Sequence, residues 1–154
     1  MKLLSPSDLA AQVGKELGVS DWYEVTQENV NLFANVTLDH QFIHIDPDKA
    51  AQSPFGGTIA HGFLSLSMLS FFAENGMSVG IEGTVMGVNY GFDKVRFINP
   101  VRVGSKIRGR SILLGLEEKN PGQYLMTLAV SVEIDGVEKP ALVADWLSML
   151  VVGS

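Results

Sequence analysis

Cysteine is absent from this 154-residue chain. Its absence removes disulfides, thiolate nucleophiles and thiolate-ligated zinc or iron–sulfur sites, so any acyl-group chemistry rests on carboxylate, imidazole or hydroxyl groups. Histidine is scarce, with His40, His44 and His61 as its three residues. No apolar run approaches the ~20 residues of a membrane span, and Met1-Lys2-Leu3-Leu4-Ser5-Pro6 breaks after two leucines, too soon for a signal peptide. A cytoplasmic protein without a membrane partner is the expectation. Positive charge is also in deficit: the formal net charge is −6, which argues against nucleic acid as a partner. What the chain does have is apolar material, 46% of its residues, enough for one substantial core and one domain over residues 1–154.

The local patterns give an α+β chain. Asp21 to Val25 reads as a short strand, and Thr26 with Glu28 and Asn29 begins an amphipathic helix with Val30, Phe33 and Ala34 on one face. Ser53-Pro54-Phe55-Gly56-Gly57 is rich in breakers. Thr58 is then the expected cap of a helix running to about Asn75, where Gly76 stops it. Ile59, Phe63, Leu64, Leu66, Met68, Leu69, Phe71 and Phe72 lie on all sides of that helix, which predicts burial all round. After Gly83 the period becomes two: Met126, Leu128, Val130, Val132 and Ile134 alternate with Thr127, Ser131 and Glu133. Asn99-Pro100, Asn120-Pro121-Gly122 and Asp135-Gly136 punctuate the strands as turns. The expected architecture is an antiparallel sheet of about five strands wrapped round one long buried helix.

The chemistry concentrates in Phe33-Ala34-Asn35-Val36-Thr37-Leu38-Asp39-His40-Gln41-Phe42-Ile43-His44. Asp39 and His44 are five residues apart, about 140° on a helix and on opposite sides of a strand, so only a turn brings them together. A turn that pairs a carboxylate with an imidazole makes a general acid/base site around one water. His40 and His44, with Asp39 adjacent, also have a His-x3-His spacing. The glutamate of the zinc-protease signature is missing, and no metal is expected. Lys94, Arg96, Arg102, Lys106, Arg108 and Arg110 place six of the eleven basic residues in one stretch without an acid, the pattern either of two solvated strand faces or of a patch for an anionic, phosphate-bearing ligand.

This stretch resembles the hydratase 2 motif of the MaoC-like (R)-specific enoyl-CoA hydratases, with Asp39, Ile43, His44 and Ala50 matching in place. Leu38 stands where that family usually has Gly, Gln41 where it has Asn and Phe42 where it has Pro, so the turn is expected to be braced by packing. Two further blocks resemble the family in order and spacing. Phe55-Gly56-Gly57-Thr58-Ile59-Ala60-His61-Gly62-Phe63-Leu64-Ser65 is similar to its Ile-Ala-His-Gly helix start, and Lys94-Val95-Arg96-Phe97-Ile98-Asn99-Pro100-Val101-Arg102-Val103-Gly104 to its Val-Arg-Phe-x-x-Pro-Val strand. The nodulation-protein-N-like branch is the nearest in wording, and the resemblance spans nearly the whole chain.

The resemblance implies a hot-dog fold, a homodimer, and hydration of trans-2-enoyl-CoA to (R)-3-hydroxyacyl-CoA, with an acyl-carrier protein as the alternative carrier. No cofactor is implied, since coenzyme A is part of the substrate. Asp39 and His44 would hold the water, the Gly62 N–H would bind the thioester oxygen, Gln41 would help positioning, and Ser70 aligns with a helix serine that supports the pair in some members. Ser65 and Ser67 offer competing hydroxyls. Lys94, Arg96 and Arg102 would meet the coenzyme's phosphates. Two alternatives stay open: a hot-dog acyl-CoA thioesterase and a non-catalytic acyl-thioester-binding partner subunit.

Overall fold

A computed structural model describes residues 1–153. After β1 (Lys2–Leu4), Ser5 caps α1 (Pro6–Ala10) by accepting the Asp8 N–H. Short strands β2 (Glu16–Val19) and β3 (Tyr23–Glu24) lead to α2 (Gln27–Thr37), which begins where expected: the Thr26 hydroxyl accepts the Asn29 N–H at 3.2 Å. Val30 and Ala34 on its inner face are fully buried. Then come α3 (Phe42–Ile45), α4 (Pro47–Ala51), α5 (Gly62–Ser67), α6 (Leu69–Gly76) and β4 (Val79–Ile81). The chain finishes in four long strands, β5 (Thr84–Phe97), β6 (Lys106–Asn120), β7 (Gln123–Ile134) and β8 (Val137–Val152).

The main sheet is antiparallel in the order β2-β6-β7-β8-β5, with β3 also paired to β6. A separate parallel pair joins β1 to β4. Gly122 and Gly136 take φ of +74° in the turns that lead into β7 and β8, as the Pro-Gly and Asp-Gly signals require. Period two decides which face is dry: Ile107 and Leu113 on β6, and Met126, Leu128, Val130, Val132 and Ile134 on β7, are buried, whereas Lys106, Arg108 and Arg110 point the other way. The helices cover the dry face. This is the hot-dog arrangement.

The long helix differs from its expectation in three ways. It starts at Gly62 with His61 in the cap position, because Thr58 to Ala60 are held extended against residues 101–103: Ala60 N–H donates to Val101 O at 2.8 Å and Val103 N–H to Thr58 O at 3.0 Å. It is interrupted at Met68, where ψ is −8°. Nor is it buried all round. Leu64, Leu69 and Phe72 are inside, and Phe72 packs so closely on Gly109 of β6 that a Cβ there would lie 2.5 Å from its own Cβ, while Phe63 is 67% and Phe71 43% exposed. Among the described residues no helix is long and apolar enough to cross a membrane.

Candidate active site

Asp39 and His44 are brought together by a turn. Helix α2 ends at Leu38, the one non-glycine residue with positive φ among those described (φ +63°, ψ +17°). The left-handed step reverses the chain, and the Gln41 N–H then closes on Asp39 Oδ1 at 3.3 Å. The expected brace of packed side chains is not there: Leu38 is 78% exposed and Phe42 42%. The backbone adopts the glycine-like conformation even without glycine, and main-chain hydrogen bonds hold it, among them His44 N–H to Gln41 O at 3.0 Å.

His44, at the C-terminal end of α3, is buried, and its Nδ1 lies 2.7 Å from the Ile59 carbonyl. A carbonyl only accepts, so Nδ1 carries the hydrogen and, in the neutral ring, Nε2 keeps its lone pair. Burial is the main reason that the His44 pKa falls below its ordinary value; the bond to Ile59 opposes the shift, His61 adds to it and Asp39 opposes it. His44 is thereby set up as a neutral proton acceptor near pH 7.

His61 completes the cluster. Its ring stacks on His44 with centroids 3.8 Å apart and 25° between planes, and Phe33 lies 5.0 Å away. Its Nε2 donates to the Asp39 carbonyl at 3.0 Å, which leaves Nδ1 buried without a partner. One donor atom each from Asp39, His44 and His61 lies within 4.8 Å of the other two. A single water accepting and donating ~2.8 Å hydrogen bonds spans such a gap. These are the donors a metal ion would meet, and His40 is not among them: its ring is engaged by Asn35 Oδ1 at 3.0 Å.

Beside the cluster lies a cavity of about 400 Å³ whose lining includes His44, Gly62, Phe63, Ser65, Phe97 and Leu142. Gly62 opens α5, so its N–H has no acceptor within the helix. A Cβ on it would lie 2.9 Å from the Phe97 ring, so a side chain at this position would force that ring or the helix start to shift. The helix hydroxyl in this cavity is Ser65, buried at 2% exposure. Ser70 lies elsewhere: it is exposed and lines a second, larger cavity with Met86, Trp146 and Ser148. Gln41 contributes its main chain to the turn, and its side chain is exposed.

The basic stretch divides. Arg108 and Arg110 both meet Glu133 at 2.7 Å, Arg110 also meets Glu16, and the Arg108 guanidinium lies 4.3 Å over Trp22. Hydrogen bonding by Arg110, and less by Arg108, holds the Glu133 carboxyl below its usual range. Arg102 donates to Gly56 O at 2.7 Å and so fastens the loop before Ile59. Lys94 and Arg96 are exposed on β5, with Arg96 donating to Val95 O.

Two contributors escape a reading of the sequence. His61 reads as a structural histidine in a helix's first turn, and only the fold stacks it on His44. Gln27, at the start of α2, carries no signal in the sequence, yet its Nε2 donates to the His44 carbonyl at 2.7 Å and its Oε1 accepts the Thr58 hydroxyl at 2.6 Å. Partners 17 and 31 residues away leave no local signature.

The same arrangement of motifs and fold has known relatives. A family model described as "MaoC like domain" matches residues 8–135. Nodulation protein N of Rhizobium meliloti is 49% identical over 150 residues, covering 97% of this chain and 92% of that protein. The 3-hydroxyacyl-thioester dehydratase Z of Mycobacterium tuberculosis is 48% identical over 141 residues, covering 92% of both. In fold, the (R)-hydratase from A. caviae involved in PHA biosynthesis superposes with a TM-score of 0.71 at 24% identity, over 88% of this chain and 94% of that one. On the match of most of its length to the family model and its near-half identity to full-length relatives, the chain belongs to the MaoC-like domain family.

Proposed function

We propose that the protein catalyses (R)-specific hydration of trans-2-enoyl thioesters to 3-hydroxyacyl thioesters, and the reverse dehydration. The observation that carries this reading is the convergence of the Asp39 carboxylate and the neutral His44 imidazole within 4.8 Å, beside an apolar cavity that also contains Gly62. A water held between the two groups is deprotonated as its oxygen bonds to the β-carbon; the double bond is lost, and the pair returns a proton to the α-carbon. Charge that develops on the thioester oxygen falls to the Gly62 N–H. Lys94, Arg96 and Arg102, all exposed, are the basic residues assigned to the coenzyme phosphates, and a second copy of the chain pairs along the exposed β5 edge. The near-half identity to a protein named a 3-hydroxyacyl-thioester dehydratase supports the substrate class.

The test is a spectrophotometric assay with crotonyl-CoA and a longer trans-2-enoyl-CoA, with free thiol read in parallel and the product resolved by chiral chromatography. Loss of enoyl absorbance with the (R) product and no free thiol is expected. An (S) product, release of coenzyme A, or no turnover of coenzyme A or acyl-carrier-protein thioesters would overturn the reading.

A further inference from the structure

We infer that Gln27 is the positioning residue for His44. One amide holds both walls of the imidazole's seat. Its N–H donates to the main-chain carbonyl of His44 itself at 2.7 Å, and its oxygen accepts the hydroxyl of buried Thr58 at 2.6 Å. Thr58 precedes Ile59, whose carbonyl receives the His44 Nδ1 hydrogen at 2.7 Å. A closed circuit results: Gln27 to the His44 backbone, His44 ring to Ile59, and Thr58 back to Gln27. The Ile59 N–H adds a strut across it by donating to Ile43 O at 3.0 Å. The amide orientation is fixed by chemistry, because a carbonyl only accepts and the NH₂ group must therefore face His44 while the oxygen faces Thr58. Gln27 in turn is held by helix α2, where its Nε2 also donates to Asn31 Oδ1 at 2.9 Å.

The consequence for chemistry is that the tautomer and direction of His44 depend on a residue that touches no substrate. Ring-orienting hydrogen bonds one layer away from a reacting group typically change activity 10–100-fold when removed. The same α2 that ends at Leu38 and delivers Asp39 begins at Gln27 and fixes His44, so one helix sets both halves of the pair.

This inference rests on the hydratase reading, and its experiment separates the two. Gln27→Met, which keeps length but has neither donor nor acceptor, should lower kcat about 10-fold or more with KM within about 2-fold. Thr58→Val should fall in the same direction and Thr58→Ser should keep activity, while the Gln27→Met/Thr58→Val double variant should lose less than the product of the singles. Imidazole NMR of the unliganded proteins supplies a readout independent of turnover: in both disabled variants the His44 Nδ1 hydrogen should exchange faster and, because the bond to Ile59 that it loosens from raises its proton affinity, the His44 titration should fall further below its wild-type position. An unchanged His44 titration and pH profile in folded Gln27→Met and Thr58→Val would overturn the inference; should Gln27→Met not fold, the Thr58→Val and Thr58→Ser pair decides by the same criteria. Absence of turnover in the wild type would instead count against the hydratase reading and leave the NMR comparison standing.

Discussion

At the scale of single residues, His44 has a determinate state: Nδ1–H toward Ile59, Nε2 open, and a proton affinity lowered first by burial. In the folded protein this ring binds its proton more weakly than in the unfolded chain. The favourable contribution is therefore complete above the unfolded value of about 6.5 and is lost as pH falls through the lower folded value, where the unfolded state binds more protons. The acid limb of kcat/KM should accordingly lie below about 6.5, and His44→Gln should remove it along with that part of the acid destabilisation; a limb above that value would contradict the buried, neutral ring. Asp39→Asn and His44→Ala should each cost about 10²–10⁴-fold in turnover, with losses that do not multiply, since both act on one water. Leu38 carries a separate prediction. A left-handed leucine costs about 1–2 kcal/mol, and glycine returns part of that as extra unfolded-state entropy, so Leu38→Gly should stabilise by about 0.5–1 kcal/mol and raise Tm by roughly 1–4 °C. A lower Tm would mean that the exposed side chain contributes contacts the geometry does not reveal. The Asp39 and His44 turn was legible because three motif blocks are local in sequence. Its backbone geometry was not, because the residue that usually signals it, glycine, is absent while the conformation persists.

At the scale of elements, the legible features were those with a short period. Alternation along β7 identifies its buried face residue by residue, and the Thr26 cap and Asp-Gly turn sit where local chemistry puts them. Features decided by a distant partner were not legible. Thr58 looks like a cap until the 101–103 segment claims its backbone and Gln27 its hydroxyl, and the acid-free basic stretch acquires Glu133 only because register sets that residue opposite Arg108. The junction of β5 with α5 yields a prediction of its own. Phe97 lies where a Cβ on Gly62 would come within 2.9 Å, so Gly62→Ala must push the ring aside or tilt the first turn that presents the N–H. We expect kcat to fall about 10²-fold, the scale of losing one oxyanion donor, and Phe97→Leu in the same background to restore part of it by making room. Ser65→Ala should lower activity more than Ser70→Ala, because Ser65 shares the His44 cavity and Ser70 does not. Equal losses would argue that helix stability, rather than the cavity, is being measured.

At the scale of the whole molecule, the sheet ends on one side in β5, a 14-residue strand whose outer edge has no partner among the described residues. Along it Val85, Met86, Val88, Tyr90 and Phe92 are exposed, and Phe63, whose ring lies 5.7 Å from that of Phe97, extends apolar surface onto α5. A long apolar edge is a template for strand pairing, and chains that remain single blunt such edges with charge, proline or bulges. Here the register does shift within the β5–β8 pairing, at Thr84/Met86, Asn89/Gly91 and Phe92/Lys94, but no proline interrupts the strand and Lys94 lies past its middle. A second copy meeting this edge in antiparallel fashion would satisfy its free backbone groups and cover the aromatic patch at once. Light scattering at micromolar concentration should therefore give about twice the 16.7 kDa chain mass, with a Tm that rises with protein concentration. Val88→Lys, a charge at the centre of the exposed edge, should shift the population toward the single chain and lower Tm while leaving the circular dichroism of the fold intact. A wild-type mass of one chain at every concentration would rule out the dimer, and a Val88→Lys variant with unchanged mass and Tm would place its interface away from this edge.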